Sequence, residues 1–442
     1  MPRRDPARRA AYDVLRAVDE RAAYANLLLP RLLAERGITG RDAALATELT
    51  YGTLRGLGSY DAVLAACSDR PLGKLDPPVL DVLRLGTHQL LGMRTGSHAA
   101  VSTSVDLAKD VAGPRVSGFV NAVLRRVATR DLDTWLSILA PGDLAVRYSY
   151  PDWIVDATRE AVGDSELEDA LAAGNRRPQV TMAAVPGLAD RDEVMPDGAE
   201  PTRWSPYGFT LAGGDPRELI ATGRAAVQDE ASQLAALALA RVPADGAESR
   251  WLDLCAGPGG KARLLHGLAA QRDIRLAASD IHQHRARLVA DAVGLPVPAG
   301  GVVVADGRNS SFREKSFDRV LVDVPCTGLG ALRRRPEARW RKSPEDVARL
   351  AELQRALLRS ALALTRPGGV VAYVTCSPVR AETRDIVMNE LDDALILDTP
   401  AILPEVPDLP ARSDPRFAQF WPHRHGTDAI FIALLRHAPE SA

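Results

Sequence analysis

The second half of the chain alternates short apolar runs with amphipathic segments, and this pattern restricts the possible folds more than any other feature. From about residue 225 the apolar runs have the length of buried strands, and the segments between them have helical spacing. Strands that alternate with helices predict an α/β domain with a parallel, doubly wound sheet. The predicted strands are Trp251–Cys255, Ile274–Ser279, Val302–Ala305, Val320–Val324, Val370–Thr375 and Ala429–Leu435.

Two regions of different texture precede this domain. Residues 1–135 carry apolar side chains at helical spacing with no strand-like alternation, which predicts a small all-α bundle. Residues 136–220 are divided into short pieces by eight prolines between 141 and 216, so we expect a connector subdomain there. We therefore expect three parts, with boundaries at 1–135, 136–220 and 221–442.

Charge and cysteine usage limit the class of protein. The net charge of −2 argues weakly against a nucleic-acid partner, but local basic patches, not the total charge, decide such binding. The four cysteines form no CxxC pair and have no histidine at ligand spacing, so we expect no disulfide framework and no metal. No apolar run approaches the roughly 20 residues of a membrane span. We expect a soluble, cytoplasmic monomer.

Acidic residues and a glycine-rich loop follow the first three predicted strands. In a doubly wound sheet the ligand binds outside the carboxyl ends of the strands. The loop that follows the first strand, with Gly257, Gly259 and Gly260, lacks P-loop spacing, and it would suit close approach to a ligand or a plain turn. Asp280 follows the second strand, where it would bond the hydroxyls of a ribose or cap the next helix. Asp306 follows the third strand, where it would accept from an adenine amino group or form a turn. Together these strand ends favour a nucleoside-bearing cofactor.

Two cysteines follow the next two strands. Cys326 comes shortly after Asp323, and Cys376 directly follows Thr375. Because neighbouring strand ends meet at one edge of the sheet, both thiols would lie at one cleft. A lone cysteine is often only a small buried apolar residue. Cys67, within the helical bundle, is interpreted in that way.

These segments resemble the motifs of the RNA cytosine-5 methyltransferases. Motif I corresponds to 253–261, motif IV to 323–330 and motif VI to 375–378, while 228–232, 175–178 and 425–431 resemble the family's flanking motifs. In the first part, 41–55, 83–86 and 119–126 resemble a NusB-like RNA-binding domain. A NusB-like bundle before a Rossmann-like methyltransferase domain is the layout of the RsmB (Fmu/Sun) family. Gly257, Val324 and Thr327 depart from the commoner family residues, but none of them is a reacting group.

The resemblance implies an S-adenosylmethionine-dependent enzyme that methylates C5 of a cytosine in 16S ribosomal RNA. Cys376 would attack C6 of the base, Asp323 would stabilise the charge that builds at N3, and Cys326 would assist release of the product. The same reaction on transfer RNA and a non-catalytic NusB-like RNA-binding factor are the alternatives. The residues expected to bind the cofactor are Cys255, Ala256, Gly257, Pro258, Gly259, Gly260, Lys261, Asp280, Arg285, Asp306 and Asp323.

A basic stretch directly after motif IV is the candidate RNA contact. The stretch comprises Arg333, Arg334, Arg335, Arg339, Arg341 and Lys342, with Trp340 among them. Clustered basic residues with an aromatic residue suit a single RNA strand, and Arg333, Arg334 and Arg335 are the expected contacts. Arg176 and Arg177 would extend this track. A solvated charged face is the alternative interpretation.

Overall fold

The chain forms two compact units in a computed structural model that describes residues 5–213, 216–294, 301–391 and 394–438. The helical unit comprises the chain up to Asp156 together with Gly174–Arg176 and Leu332–Arg341. The sheet unit comprises Ala157–Ala173, Arg177–Ala331 and the chain from Lys342 onward. Within the described residues, no helix is both long enough and apolar enough to cross a bilayer.

The helical unit confirms the predicted all-α bundle. Its helices are α1 (Pro6–Arg21), α2 (Ala25–Glu35), α3 (Gly40–Arg55), α4 (Leu57–Cys67), α5 (Pro77–Leu91), α6 (Ser97–Ala112), α7 (Ser117–Val127), α8 (Leu132–Leu139) and α9 (Leu144–Tyr148). Leu49, Leu83 and Leu124 are fully buried in one apolar core. Apolar spacing in the sequence predicts α1, α2, α3, α5 and α7 but not α4, α6, α8 and α9. Helix α6 is rich in Ser and Ala, α4 lacks a clear apolar stripe, and α8 and α9 are short. Cys67 ends α4 and is buried, as interpreted.

A small antiparallel sheet follows in the connector region. The elements are α10 (Asp152–Val162), α11 (Asp164–Gly174), β1 (Val180–Ala184), α12 (Arg191–Val194), β2 (Glu200–Pro201), β3 (Gly208–Leu211), α13 (Arg217–Ala221) and β4 (Ala225–Val227). The strand order is β2-β3-β1-β4, so β1 lies in the sheet interior. The three-part division of the chain stays a prediction.

The strands of the large sheet are β5 (Arg250–Asp253), β6 (Arg275–Asp280), β7 (Val302–Val304), β8 (Phe317–Asp323), β9 (Thr365–Thr375), β10 (Ala394–Ile396), β11 (Pro410–Ala411), β12 (Asp414–Gln419) and β13 (Phe431–His437). They run in the order β11-β12-β13-β9-β8-β5-β6-β7, with β10 paired to β13. The helices are α14 (Glu230–Arg241), α15 (Gly260–Ala270), α16 (Gln283–Val293), α17 (Pro344–Leu364), α18 (Arg384–Met388), α19 (Thr399–Ile402) and α20 (Pro422–His425).

Strands β5 to β9 are parallel, which confirms the doubly wound prediction for the centre of the sheet. The prediction of a parallel sheet is wrong at the far edge, where β13 is antiparallel to both β9 and β12. The connection from β12 to β13 is too short for a crossover, so these two strands can pair only in opposite directions.

The strands alternate their side chains between two apolar layers, as buried strands must. Trp251 and Leu321 pack on one face with α14 and α15, whereas Leu252 and Val322 pack on the other face with α17. The strand order reverses at β5, which has β6 on one side and β8 on the other. The carboxyl ends of β5, β6, β8 and β9 therefore meet at the switch point, where ligands bind in such sheets.

Candidate active site

The two cysteines of motifs IV and VI lie in contact. Strands β8 and β9 are parallel neighbours, so the loops that follow them leave the same edge of the sheet. Cys326 Sγ and Cys376 Sγ are 3.3 Å apart, and both side chains are half-buried. The hydrogen bond to Cys376, together with burial, raises the pKa of Cys326 well above its ordinary value. Cys326 therefore keeps its proton while it shares a hydrogen bond with Cys376.

Glu382 lies beneath the two cysteine loops, and its side chain is fully buried. Its carboxylate accepts hydrogen bonds from Thr327 N at 2.7 Å and from Ser377 Oγ at 2.6 Å. The sequence analysis did not identify this residue. It stands five residues after Ser377 in a segment with no regular apolar spacing, so no local pattern marks it as part of the site.

Gly330 carries motif IV across the end of the sheet. Its N donates to the carbonyl of Cys376 at 2.8 Å, and its own carbonyl accepts from Ala429 N at 2.9 Å. A Cβ at this position would lie 1.9 Å from Ala429 O, so only glycine fits. The close approach of these backbones ties motif IV to motif VI and to the closing segment of the sheet.

Lys261 and Asp323 form an ion pair beside the cysteines. Lys261 Nζ lies 2.8 Å from Asp323 Oδ2 and 3.3 Å from Ser232 Oγ. Burial lowers the pKa of Lys261, but the adjacent Asp323 outweighs it and raises the pKa overall. With only 12% of its side chain exposed, Lys261 is not a solvated cation at a helix start.

The glycine-rich loop wraps against Asp280 at the end of β6. Gly257 N donates to Asp280 Oδ2 at 3.1 Å, and His282 N donates to Asp280 Oδ1 at 2.8 Å. A Cβ on Gly257 would lie 2.3 Å from Asp280 Oδ2 and would also crowd Arg285, so the cradle requires glycine. Backbone N–H groups of this loop and the start of α15 at Gly260 form the surroundings that an anionic or polar ligand group favours.

The remaining loop positions lie as the sequence predicted, between β5 and α15. Cys255 and Gly257 are half-buried, Ala256 and Gly259 are buried, and Pro258 is exposed. Burial, followed by the charge of Asp253, raises the pKa of Cys255 well above its ordinary value. Cys255 is therefore a poor nucleophile.

Asp253 at the end of β5 is a buried carboxyl whose side-chain oxygens have no hydrogen-bond partner among the described residues. Only 1% of the residue is exposed. Burial, followed by the charge of Asp323, raises its pKa to about 8. An unpartnered polar group in the interior is costly, and it is stabilised when a cation or donor arrives beside it.

Asp306 closes its own turn. Its side chain accepts from Arg308 N at 3.0 Å and pairs with the Arg308 guanidinium, which lowers the pKa of Asp306. These contacts match the turn-forming alternative. They leave the side chain 30% exposed just after the carboxyl end of β7.

Four aspartates stand at or just after the ends of β5, β6, β7 and β8, namely Asp253, Asp280, Asp306 and Asp323. Asp306 pairs with Arg308 and Asp323 with Lys261, while a pKa of about 8 keeps the buried Asp253 protonated at neutral pH. S-adenosylmethionine carries a sulfonium and an ammonium group, so the unpartnered Asp253, whose ionised form a nearby cation would stabilise, and the glycine cradle at Gly257 suit it. Among the described residues, no group of three metal-ligating side chains gathers.

Comparisons with known proteins agree with this geometry. A family model described as 16S rRNA methyltransferase RsmB/F matches residues 238–436, and a NusB family model matches residues 5–129. A putative methyltransferase of Mycobacterium tuberculosis strain H37Rv is 52% identical, with 98% of each chain covered. The probable ribosomal RNA small subunit methyltransferase B of Bacillus subtilis strain 168 is 30% identical, with 96% of this chain and 97% of that protein covered.

The chain belongs to the RsmB/F methyltransferase family. This confirms the resemblance and the layout inferred from the motifs, with a NusB domain before a Rossmann-like methyltransferase domain. The crystal structure of PH0851 shares the fold over 99% of both chains with a TM-score of 0.78 and 23% identity. A methyltransferase homolog from Pyrococcus horikoshii matches 67% of this chain and 98% of its own, with a TM-score of 0.53.

The basic stretch of this RsmB/F methyltransferase lies, as far as Arg341, in the helical unit. Arg339 is fully buried: its Nη1 donates to Ser149 O at 2.8 Å and to Asn175 Oδ1 at 3.0 Å. The guanidinium stands 3.9 Å from the centre of the Tyr150 ring. Arg341 donates to three carbonyls at the end of α1. The stretch therefore holds the unit together as well as offering charge at its surface.

The arginines predicted to contact RNA differ in exposure. Arg333 is only 9% exposed and Arg334 is half-buried, whereas Arg335 is exposed with its guanidinium 5.7 Å from the Tyr24 ring centre. Arg176 and Arg177 are exposed. A buried guanidinium has little surface for a phosphate, so Arg335, Arg176 and Arg177 are the better-placed candidates.

Proposed function

We propose that this enzyme transfers a methyl group from S-adenosylmethionine to C5 of a cytosine in 16S ribosomal RNA through a covalent bond between Cys376 and C6. The observation that carries the proposal is the 3.3 Å contact of the two cysteine sulfurs beside the Lys261–Asp323 pair. The match to a family described as 16S rRNA methyltransferases supports the choice of substrate.

The strand ends would hold the cofactor. Asp280 would use its remaining lone pairs for the ribose hydroxyls, Asp306 would accept from the adenine amino group, and the loop at Gly257 would approach the ligand with its backbone. Arg285, exposed beside that loop, would line the same pocket. When bound, the cofactor supplies an electrophilic methyl group on its sulfonium.

Cys376 supplies the nucleophile because C5 of cytosine is too electron-poor to take a methyl group unaided. A thiolate that adds to C6 forms the S–C6 bond, and the electrons of the C5–C6 double bond move toward N3 and O2. The charge at N3 is neutralised by a proton, which Asp323 would donate. Lys261, which is paired with Asp323, would then return a proton to that carboxylate. C5 is then enamine-like and nucleophilic.

Cys326 would complete the turnover. After C5 carries the methyl group, its proton must leave and the S–C6 bond must break. The hydrogen bond to Cys376 is the largest cause that raises the pKa of Cys326. Once Cys376 is bound to C6 this cause is gone, so Cys326 ionises more readily at the step that needs a base.

Bisulfite sequencing of ribosomal and transfer RNA from a deletion strain tests the proposal. We expect one cytosine of 16S RNA to lose protection, and expression of the intact gene, but not of the Cys376→Ala variant, to restore it. Loss of protection in transfer RNA alone would move the substrate to that class. Unchanged protection in both RNAs would contradict the proposal.

A further inference from the structure

Glu382 is a buried ionisable side chain whose side-chain hydrogen-bond partners among the described residues are all uncharged. Its carboxylate is met by neutral donors, namely the backbone and hydroxyl of Thr327, the hydroxyl of Ser377 and the amide of Gln354. Burial of a carboxylate is costly unless its lone pairs are satisfied. Here the donors satisfy them, so the arrangement fixes these segments with respect to one another.

The donors come from the residues that directly follow the two cysteines. Thr327 follows Cys326, and its N and Oγ1 donate to Glu382 at 2.7 and 2.5 Å. Ser377 follows Cys376, and its Oγ donates to Glu382 at 2.6 Å. One carboxylate thus holds both cysteine loops at the adjoining residue.

A third segment completes the connection. Gln354 of α17 donates from Nε2 to the carbonyl of Pro325 at 2.9 Å and to Glu382 at 3.1 Å. Tyr373 of β9 donates from its hydroxyl to the backbone carbonyl of Glu382 at 2.8 Å. Both neighbours of Cys326 are therefore tied to this network, and the backbone of Glu382 is itself tied to the sheet.

We propose that Glu382 is a positioning residue that keeps the thiols of Cys326 and Cys376 in contact. The inference rests on the proposed function, in which the thiols act on adjacent carbons of one base. Cys376 must reach C6 while Cys326 reaches the proton on C5, so a small shift of either loop separates the two steps. The charge of Glu382 also adds, after the hydrogen bond to Cys376, burial and the charge of Cys376, to the raised pKa of Cys326.

Thiol bridging by dibromobimane measures this contact without RNA or cofactor, because the reagent becomes strongly fluorescent when it joins two nearby thiols. We expect Glu382→Ala to slow bridging of Cys326 and Cys376 by at least about tenfold, the effect of losing a hydrogen bond to a charged group. The matched control is Glu248→Ala, which removes another largely buried carboxylate that accepts from Arg319 and Trp251 near the opposite end of β5. The control should bridge at the wild-type rate, and Cys326→Ser should not bridge.

Milder variants cover the case in which Glu382→Ala does not fold. Ser377→Ala and Thr327→Val each remove one hydroxyl donor, and each should slow bridging several-fold with an unchanged unfolding midpoint. When either substitution is combined with Glu382→Gln, bridging should be little slower than with Glu382→Gln alone, since the three side chains act as one unit. Bridging at the wild-type rate in the folded variants would overturn the inference. A wild-type protein that bridges but methylates no RNA would overturn the proposed function alone.

Discussion

At the scale of single residues, the site depends on how a few ionisable groups share protons. Cys326 and Cys376 share one hydrogen bond, Asp323 is paired with Lys261, and Asp253 lies buried with its side-chain oxygens unpartnered among the described residues. Each of these groups has different neighbours, so chemically identical side chains, such as the two cysteines or the two aspartates, bind and release protons differently.

The two cysteines should give opposite results on one denaturing gel. Cys376→Ser should abolish methyl transfer, because a serine hydroxyl is far less ionised than a thiol at neutral pH. Cys326→Ser should still attack and methylate but release slowly, leaving a stable protein–RNA adduct. The double variant should show none. An adduct with the Cys376 variant instead would reverse the two roles.

Asp280 should contribute to cofactor affinity through the ribose. Replacement by alanine removes an acceptor and should weaken binding of S-adenosylmethionine by about 1–3 kcal/mol. Isothermal calorimetry measures the change. Asp291→Ala, an exposed carboxyl on α16, is the control and should bind as the wild type does. Equal affinity for both variants would remove Asp280 from the cofactor site.

Asp253 predicts a pH dependence of stability. Its pKa rises from 3.8 to about 8 on folding, so the folded state holds one more proton between these limits. The free energy of unfolding should therefore fall as pH rises through this window, by an amount on the order of a few kcal/mol. Asp253→Asn lacks this titrating group. In urea unfolding, its free energy of unfolding relative to that of the wild type should therefore rise from about pH 5 to about pH 8. A constant difference would contradict the assignment.

At the scale of elements, the segment Leu332–Arg341 belongs to the helical unit although it follows a strand of the sheet unit in the sequence. Arg339 fills the interior of that unit and contacts Ser149, Asn175 and Tyr150. A basic sequence run therefore has two kinds of arginine, one structural and one exposed.

Arg339→Ala should destabilise the helical unit. The substitution leaves the Ser149 carbonyl and the Asn175 side chain without this donor and removes the packing on Tyr150. The free energy of unfolding of the helical unit should fall by about 2–4 kcal/mol. Hydrogen exchange of the helical unit measures the change. Arg335→Ala, at an exposed position of the same segment, should leave exchange unaltered. Equal protection in both variants would show that the buried arginine is dispensable.

At the scale of the whole molecule, the net charge of −2 means that any RNA contact depends on local clusters of arginine. An overall negative charge does not attract a polyanion. Exposed arginines such as Arg176, Arg177 and Arg335 have to supply the attraction.

Neutralising Arg333, Arg334 and Arg335 together should weaken RNA binding and flatten its salt dependence. The slope of log affinity against log salt should fall by about 0.7–0.9 for every phosphate that is no longer neutralised by an arginine. Arg335→Gln alone should account for most of the change, because Arg333 is buried. Filter binding over a salt series measures the slope. An unaltered slope would favour the alternative interpretation, in which the stretch is a solvated charged face that does not contact RNA.

Local pattern alone predicted the α-helical first part, the alternation of strands and helices from β5 to β9, and the strand-end positions of Asp280, Cys326 and Cys376. These features depend on residues adjacent in the chain, whose apolar period and glycine content can be read directly. The family motifs added chemistry to those positions. The sequence also placed the centre of the sheet, because strands that alternate with helices have few ways to pack.

Only the tertiary structure decided which of these residues meet. The 3.3 Å contact of Cys326 with Cys376, the pairing of Lys261 with Asp323 and the hydrogen bonds of Glu382 join residues far apart in the sequence. The antiparallel β13 and the burial of Arg339 likewise depend on what packs against them. A charged residue has the same local sequence signal whether it is solvated or buried with partners, and only the packed chain supplies those partners.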